Sequence, residues 1–245
     1  MTTMAAKKCG KLLLFILFLA AIAGLFSYAA GLWGSTDEEA LADAAPATFT
    51  VVLDAGHGGE DGGAVSDSGI YEKDLNLAVA LQVRDLLVAN GIEVVMTRTT
   101  DTLLYDRNED YHGRKKALDL AARRKIGEET EGAIFVSIHM NAYPLPQYSG
   151  LQVWYSKNDA QSRVIADAIQ SRVQGTLQPE NNRKTKSATG SIYLLHHLTC
   201  PAVLVECGFL SNAAEAQRLN TPDYQKQLAL LITLAIMEAQ SGLSG

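Results

Sequence analysis

Four residues of this 245-residue chain are of the types that hydrolyse an amide: His57 in VVLDAGHGG, Glu72 in YEKDLNL, His139 in VSIHMNA and Glu206 in VLVECGF. Two imidazoles and one carboxylate are the set that holds a catalytic zinc while leaving a fourth position for water. Such an ion lowers the pKa of water toward about 7 and polarises a carbonyl. A second glutamate, not bound to the ion, takes the water proton and passes it to the leaving nitrogen. Residue types alone do not make the assignment. A histidine at a strand end is commonly satisfied by hydrogen bonds, and a glutamate at a helix start commonly serves the helix dipole. The HExxH helix of many metallopeptidases is absent. His112 and the adjacent His196 and His197 are rival ligands on composition.

The four residues lie far apart in the chain, so other elements must bring them together. Short apolar runs at residues 49–55, 92–96, 133–138, 151–155 and 202–205 are mostly rich in β-branched residues. Between them lie helical patterns at 75–89 and 158–176, and Thr221-Pro222 opens a last helix. This alternation predicts an α/β class: a single domain whose mostly parallel twisted sheet carries helices on both faces. In such sheets ligands collect beyond the carboxyl ends of the strands. Asp54 and His57 follow the first run, His139 the third and Glu206 the fifth, while Glu72 opens the helix after a glycine-rich loop.

The formal charge of −6, from 21 basic and 27 acidic residues, gives no reason to expect nucleic acid, which needs a concentrated basic face. The clusters 114–116 and 123–125 are expected to line a solvated helix face. Residues 1–33 are a separate object: Lys7, Lys8 and Lys11 precede an almost unbroken apolar run over 12–33. About 22 helical residues suffice to cross a membrane. With the charges on its N-terminal side, the run predicts a single-pass anchor in the cell membrane, with the catalytic domain outside the cytoplasm. The small-x-small site Ser27-Tyr28-Ala29 leaves open a signal peptide and secretion after its cleavage. Residues 34–47 form a linker and 48–245 the catalytic domain. An extended segment between Cys200 and Cys207 holds them too far apart for a disulfide.

The stretches LDAGHGGEDGGAV, EKDLNL, TR at 97–98, FVSIHMNA and PAVLVECGFLSN, in that order, resemble the zinc-dependent N-acetylmuramoyl-L-alanine amidases of the third amidase family. The resemblance spans residues 49–240 and implies one zinc per chain, held by His57, Glu72 and His139, with Glu206 as the catalytic glutamate. It implies cleavage of the amide between N-acetylmuramic acid and L-alanine, on peptidoglycan glycan strands bearing stem peptides. LLYD at 103–106, DLAAR at 119–123 and SGLQVWYS are most similar to the germination-specific, spore-cortex amidases. That implies a role in muramic-δ-lactam formation together with a separate muramic acid deacetylase; with neither wall-binding repeats nor an inserted inhibitory helix evident, control is expected to fall to expression or a regulatory protein partner. A zinc carboxypeptidase acting on stem peptides and an inactive wall-binding or activator domain are the alternatives.

Further expectations attach to single residues. Asn76 orients Glu72, touches substrate or faces solvent. Arg98 and Arg123 pair with stem-peptide carboxylates, or with Asp101 and Asp119 as surface salt bridges. Asn141 donates to the substrate carbonyl or stabilises its loop, and Asp54 fixes loop amides or stands behind His57.

Overall fold

The computed structural model describes residues 49–105 and 113–241. The expected anchor, the linker and His112 lie outside these residues; among the described residues no helix is long and apolar enough to cross a membrane.

The first strand, β1 (Thr50–Ala55), is buried at every position, which requires cover on both faces of its sheet. The other strands are β2 (Glu93–Met96), β3 (Ala133–Asn141), β4 (Gln152–Tyr155), β5 (Lys186–Ser187) and β6 (Ala202–Phe209), in the order β2-β1-β3-β6-β4-β5. Neighbours run parallel except β4, which is antiparallel to β6, so the sheet is mixed. The helices are α1 (Glu72–Ala89), α2 (Lys115–Glu129), α3 (Gln161–Thr176), α4 (Tyr193–His197), α5 (Ala213–Leu219) and α6 (Pro222–Ser241). β3 and β6 continue three and four residues past the apolar runs that announce them. His139 and Glu206 interrupt the apolar pattern yet stay in the hydrogen-bonded ladder.

Strand side chains alternate between faces, and here the two faces differ. On one, Val51, Leu53, Val136, Ile138, Val203 and Val205 pack in the larger core with α1, α3 and α6. On the other, Val52, Phe135 and Leu204 meet Leu194, Leu195 and Leu198 in a smaller cluster, beneath α2 and the short α4. Alternation assigns Asp54, Ser137, His139 and Glu206 to this second, thinly covered face.

α1 carries Glu72 and Asp74 in its first turn, where acids complement the dipole. It buries Leu75, Val79, Ala80, Val83 and Leu87 along one face, and the chain leaves it through Asn90 and Gly91, whose φ is 75°. β5, α4 and α5 are too short to leave a periodic signal in the sequence. The basic segment of α2 is not wholly a solvated face. Lys115 pairs with Glu60 and Arg124 with Glu128, but Arg123 points inward and is 1% exposed. Cys200 and Cys207 are unbonded thiols. Burial pushes Cys200 up to about 11 and raises Cys207 as well, which favours the thiol over the nucleophilic thiolate at both.

Candidate metal centre and active site

Parallel pairing puts His139 of β3 beside Glu206 of β6, and Asp54 of β1 beside Ser137 of β3. After β1 the chain makes a loop that folds back on the start of α1. Glu72 and Lys73 donate their backbone N–H to Ala64 and Gly62 at 2.9 and 3.2 Å, so loop carbonyls satisfy the helix start without a side-chain cap. His57 adopts φ 62°, a left-handed conformation that costs a non-glycine residue on the order of 1 kcal/mol. Gly56 has a steric reason: a Cβ there would stand 2.2 Å from His139 Nε2.

These constraints aim three donors at one point. His57 Nε2 and His139 Nδ1 lie 3.3 and 2.9 Å from the same oxygen, Glu72 Oε1. The three donor atoms all fall within 4.8 Å of one another. Zinc-to-ligand distances of about 2.0–2.2 Å at tetrahedral angles put donors about 3.3 Å apart, so this set fits zinc with little adjustment. Glu72 Oε1 also accepts from Met140 N at 3.1 Å, and Oε2 from Ala64 N at 2.8 Å. Burial opposes ionisation of Glu72, yet hydrogen bonds from His139 and His57 hold its carboxyl well below the usual range. Asp61 Oδ2 lies 2.9 Å from His57 Nδ1, within ion-pair reach but off the hydrogen-bond axis.

Beside this point stands Glu206. Burial pushes its carboxyl up to about 7, and its Oε2 is buried without a hydrogen-bond partner. An unpartnered buried carboxylate oxygen in a cleft marks a group kept for something other than stability.

The remaining candidates divide. Asn76 is fully buried; its Nδ2 donates to Gly56 O at 3.0 Å and lies 3.4 Å from Glu72 Oε1, so it orients the loop and the carboxylate and faces neither solvent nor substrate. Arg98 and Arg123 do not reach for stem-peptide carboxylates, nor are they surface salt bridges. Arg98 is 3% exposed and donates to the carbonyls of Ala55, Gly56, Lys73 and Thr100; Asp101 pairs instead with Lys73. Arg123 is held by Asp54 at 2.6 Å and Asp119 at 2.7 Å, and donates to Ala55 O and to His57 O at 2.7 Å. Both guanidinium groups donate to carbonyls where β1 passes into the loop, Arg98 to Ala55 and Gly56 and Arg123 to Ala55 and His57, and so they are buried. Asp54 fixes no loop amides. It accepts from Thr97 and Ser137 hydroxyls and from Arg123, and so stands behind the His57 loop through that arginine.

Asn141 sits at a register shift at the end of β3, half-exposed on the cleft. His196 and His197 are exposed at the end of α4 and do not join the donors. Two contributors escaped sequence reading: Ser137, two residues before His139 on the same face, and Asp61, one of several acids in a loop with no periodicity to rank them. Glu206 lines one hollow of this face, and its register partner Gln152 lines another. A hollow of about 250 Å³ lies between the histidines and Tyr193. Another of about 360 Å³ is bounded by Asn141, Gln152, Trp154, Arg183, Lys186 and Phe209. A hollow of about 440 Å³ around Asn181 and Glu215 contains none of the four residues.

Residues 51–238 match the model of a family described as N-acetylmuramoyl-L-alanine amidase. The chain is 41% identical over 187 residues to the germination-specific N-acetylmuramoyl-L-alanine amidase of Bacillus subtilis, covering 76% of this chain and 78% of that protein. Among solved structures it is similar to the CwlD amidase from Clostridioides difficile in complex with the GerS lipoprotein, with TM-score 0.75 and 37% identity over 79% of this chain and 98% of that one. It is also similar to the amidase AmiC2 of Nostoc punctiforme, with TM-score 0.68 and 29% identity over 79% and 98% of the two chains.

Proposed function

The chain belongs to the N-acetylmuramoyl-L-alanine amidase family and is an amidase of peptidoglycan, and we propose that it works with one zinc held by His57, Glu72 and His139, with Glu206 as the proton carrier. The observation that supports this reading is the convergence of two imidazole nitrogens and one carboxylate oxygen beside a buried carboxylate oxygen that lacks a partner. Zinc, when bound, polarises the amide carbonyl and lowers the pKa of water.

The protein's own residues supply the rest. Met140 N donates to Oε1 and Ala64 N to Oε2 of Glu72, so the carboxylate that would hold the metal is fixed in orientation. Glu206 takes a proton from the attacking water as the new C–O bond forms. It delivers that proton to the alanyl nitrogen as the C–N bond breaks, leaving the lactyl carboxylate on the glycan and a free amine on the stem peptide. Family membership favours this reading over the carboxypeptidase and the inactive binding domain.

Likeness to the Bacillus subtilis germination-specific amidase and to the Clostridioides difficile enzyme supports a finer reading. The substrate is spore cortex, the freed muramic acid passes to a separate deacetylase that forms muramic-δ-lactam, and a lipoprotein acts as regulatory partner. Residues 12–33 hold the chain in the cell membrane with the domain outside. Protease added to intact protoplasts then removes the domain; protection until lysis would reverse the orientation.

The deciding experiment uses the full-length chain in detergent with zinc and muropeptide-rich peptidoglycan. Mass spectrometry is expected to find free stem peptides that begin with L-alanine, and metal analysis about one zinc per chain. Zinc content should collapse in His139→Ala. No release of stem peptides, with zinc bound and a lipoprotein of the GerS type added, would sink the proposal.

A further inference from the structure

Most described cations of this acidic chain have a carboxylate within ion-pair reach, among them Lys73, Arg84, Lys115, Arg123, Arg124, Arg163 and Arg218. Among the described residues neither Arg183 nor Lys186 has one, and both border the hollow lined by Gln152, the register partner of Glu206. They lie on the site face of the sheet. Gln152 of β4 is the register partner of Glu206, and Lys186 of β5 is the register partner of Trp154, two residues further along β4.

The two cations are also held in place. Arg183 donates from Nε to Ser149 O at 2.8 Å, and its guanidinium lies 4.4 Å from the Phe209 ring centroid and 5.5 Å from that of Tyr148. Its Nη1 makes only a long contact of 3.4 Å, to Gln152 Oε1. Lys186 Nζ lies 5.3 Å from the Trp154 ring centroid. A guanidinium stacked on aromatic rings with donors to spare is preorganised for a carboxylate.

We propose that Arg183 and Lys186 form a carboxylate-binding subsite that holds the acidic stem peptide on the β4–β5 side of Glu206, leaving the glycan to the histidine side. This rests on the amidase reading. On one side of the scissile amide the substrate is an uncharged glycan; on the other it is a peptide carrying carboxylates. Two strand spacings separate β6 from β5, about 10 Å. An extended peptide rises about 3.3 Å per residue, so the carboxylates of its second and third residues span that distance.

The test titrates the full-length, zinc-loaded chain in detergent with two tripeptides: a stem peptide with free carboxylates, and its counterpart with those groups converted to carboxamides. Calorimetry should give about tenfold tighter binding of the acid form, the size of a charge-assisted hydrogen bond. Arg183→Gln and Lys186→Gln should each shrink that ratio while leaving carboxamide binding unchanged, and Arg183→Lys should restore part of it. On the matching muropeptides the ratio should appear in KM, with kcat unmoved. Equal binding of both forms by the unaltered protein would refute the subsite. So would a variant that weakens both forms alike, since Arg183 would then only prop the loop through Ser149. Hydrolysis is scored on the same samples: cleavage without discrimination refutes the subsite alone, and discrimination without cleavage supports the subsite while counting against the amidase reading.

Discussion

Glu206→Gln is expected to lower kcat by a factor on the order of 10³, the scale of one general acid–base group, while leaving the zinc content of the full-length protein unchanged. The substitution keeps the shape and polarity of the side chain but cannot carry a proton. Glu206 is a register neighbour of His139 and yet supplies none of the three converging donor atoms. Its neighbourhood explains the pH dependence. Burial pushes its carboxyl up to about 7, and only the ionised form can accept a proton from water. Activity therefore rises with pH through the carboxyl's pKa. A bound cation favours the carboxylate and moves this limb below 7, whereas removing the cation restores the higher value. The pH profile of kcat should accordingly show an acid limb that is missing from the residual activity of Glu206→Gln. Loss of zinc in that variant would make Glu206 a ligand and overturn its role.

The second large effect concerns stability. Asp54→Ala is expected to cost about 3–5 kcal/mol, because it strands the guanidinium of Arg123 in the interior without one of its two carboxylates. For a domain of this size that is a fall in Tm of roughly 10 °C. Asp54 and Arg123 are each 1% exposed in their side chains and 2.6 Å apart. Thr97→Val removes only one hydroxyl from the same carboxylate and should cost about 1 kcal/mol, which separates loss of the charge from loss of a hydrogen bond. Burial works against ionisation of Asp54, but Arg123 and Ser137 outweigh it and hold the carboxyl below its ordinary 3.8. A carboxyl lowered on folding adds stability that is complete above the unfolded value and is lost as pH falls through the folded one. The unaltered protein should therefore lose stability below about pH 4, and Asp54→Ala should lack that part of the loss. Equal melting temperatures at pH 7 would show that the pair carries no net stability. Arg123 also holds the carbonyl of His57, the residue with positive φ, so zinc affinity in Asp54→Ala should fall with stability.

How much of this was legible in the sequence depends on the range of the forces involved. The runs that became β1, β3 and β6 were readable because a buried strand must be apolar, and their ends pointed to His57, His139 and Glu206. Reading stopped early on β3 and β6 because the polar site residues that end the apolar pattern do not end the hydrogen-bonded ladder. The clusters on α2 looked like a solvated face, since charge normally stays in water. Arg123 breaks that expectation only because Asp54, 69 residues away, meets it inside. Arg98 and Asn76 were legible as polar groups near the site, but not as donors to the carbonyls of the His57 loop.

By itself, then, the sequence determined the α/β alternation and the place of the longer strands and helices, because these follow from periodicity within one segment, and it offered His57, Glu72, His139 and Glu206 as candidates whose roles the resemblance of their motifs implied. Tertiary structure alone decided which polar groups are buried supports and which remain reachable. It gave Arg98 and Arg123 to the loop and left Arg183 and Lys186 facing the cleft. The reason is physical: whether a charge is paired depends on partners brought from distant segments, and that pairing exists only once the sheet has formed.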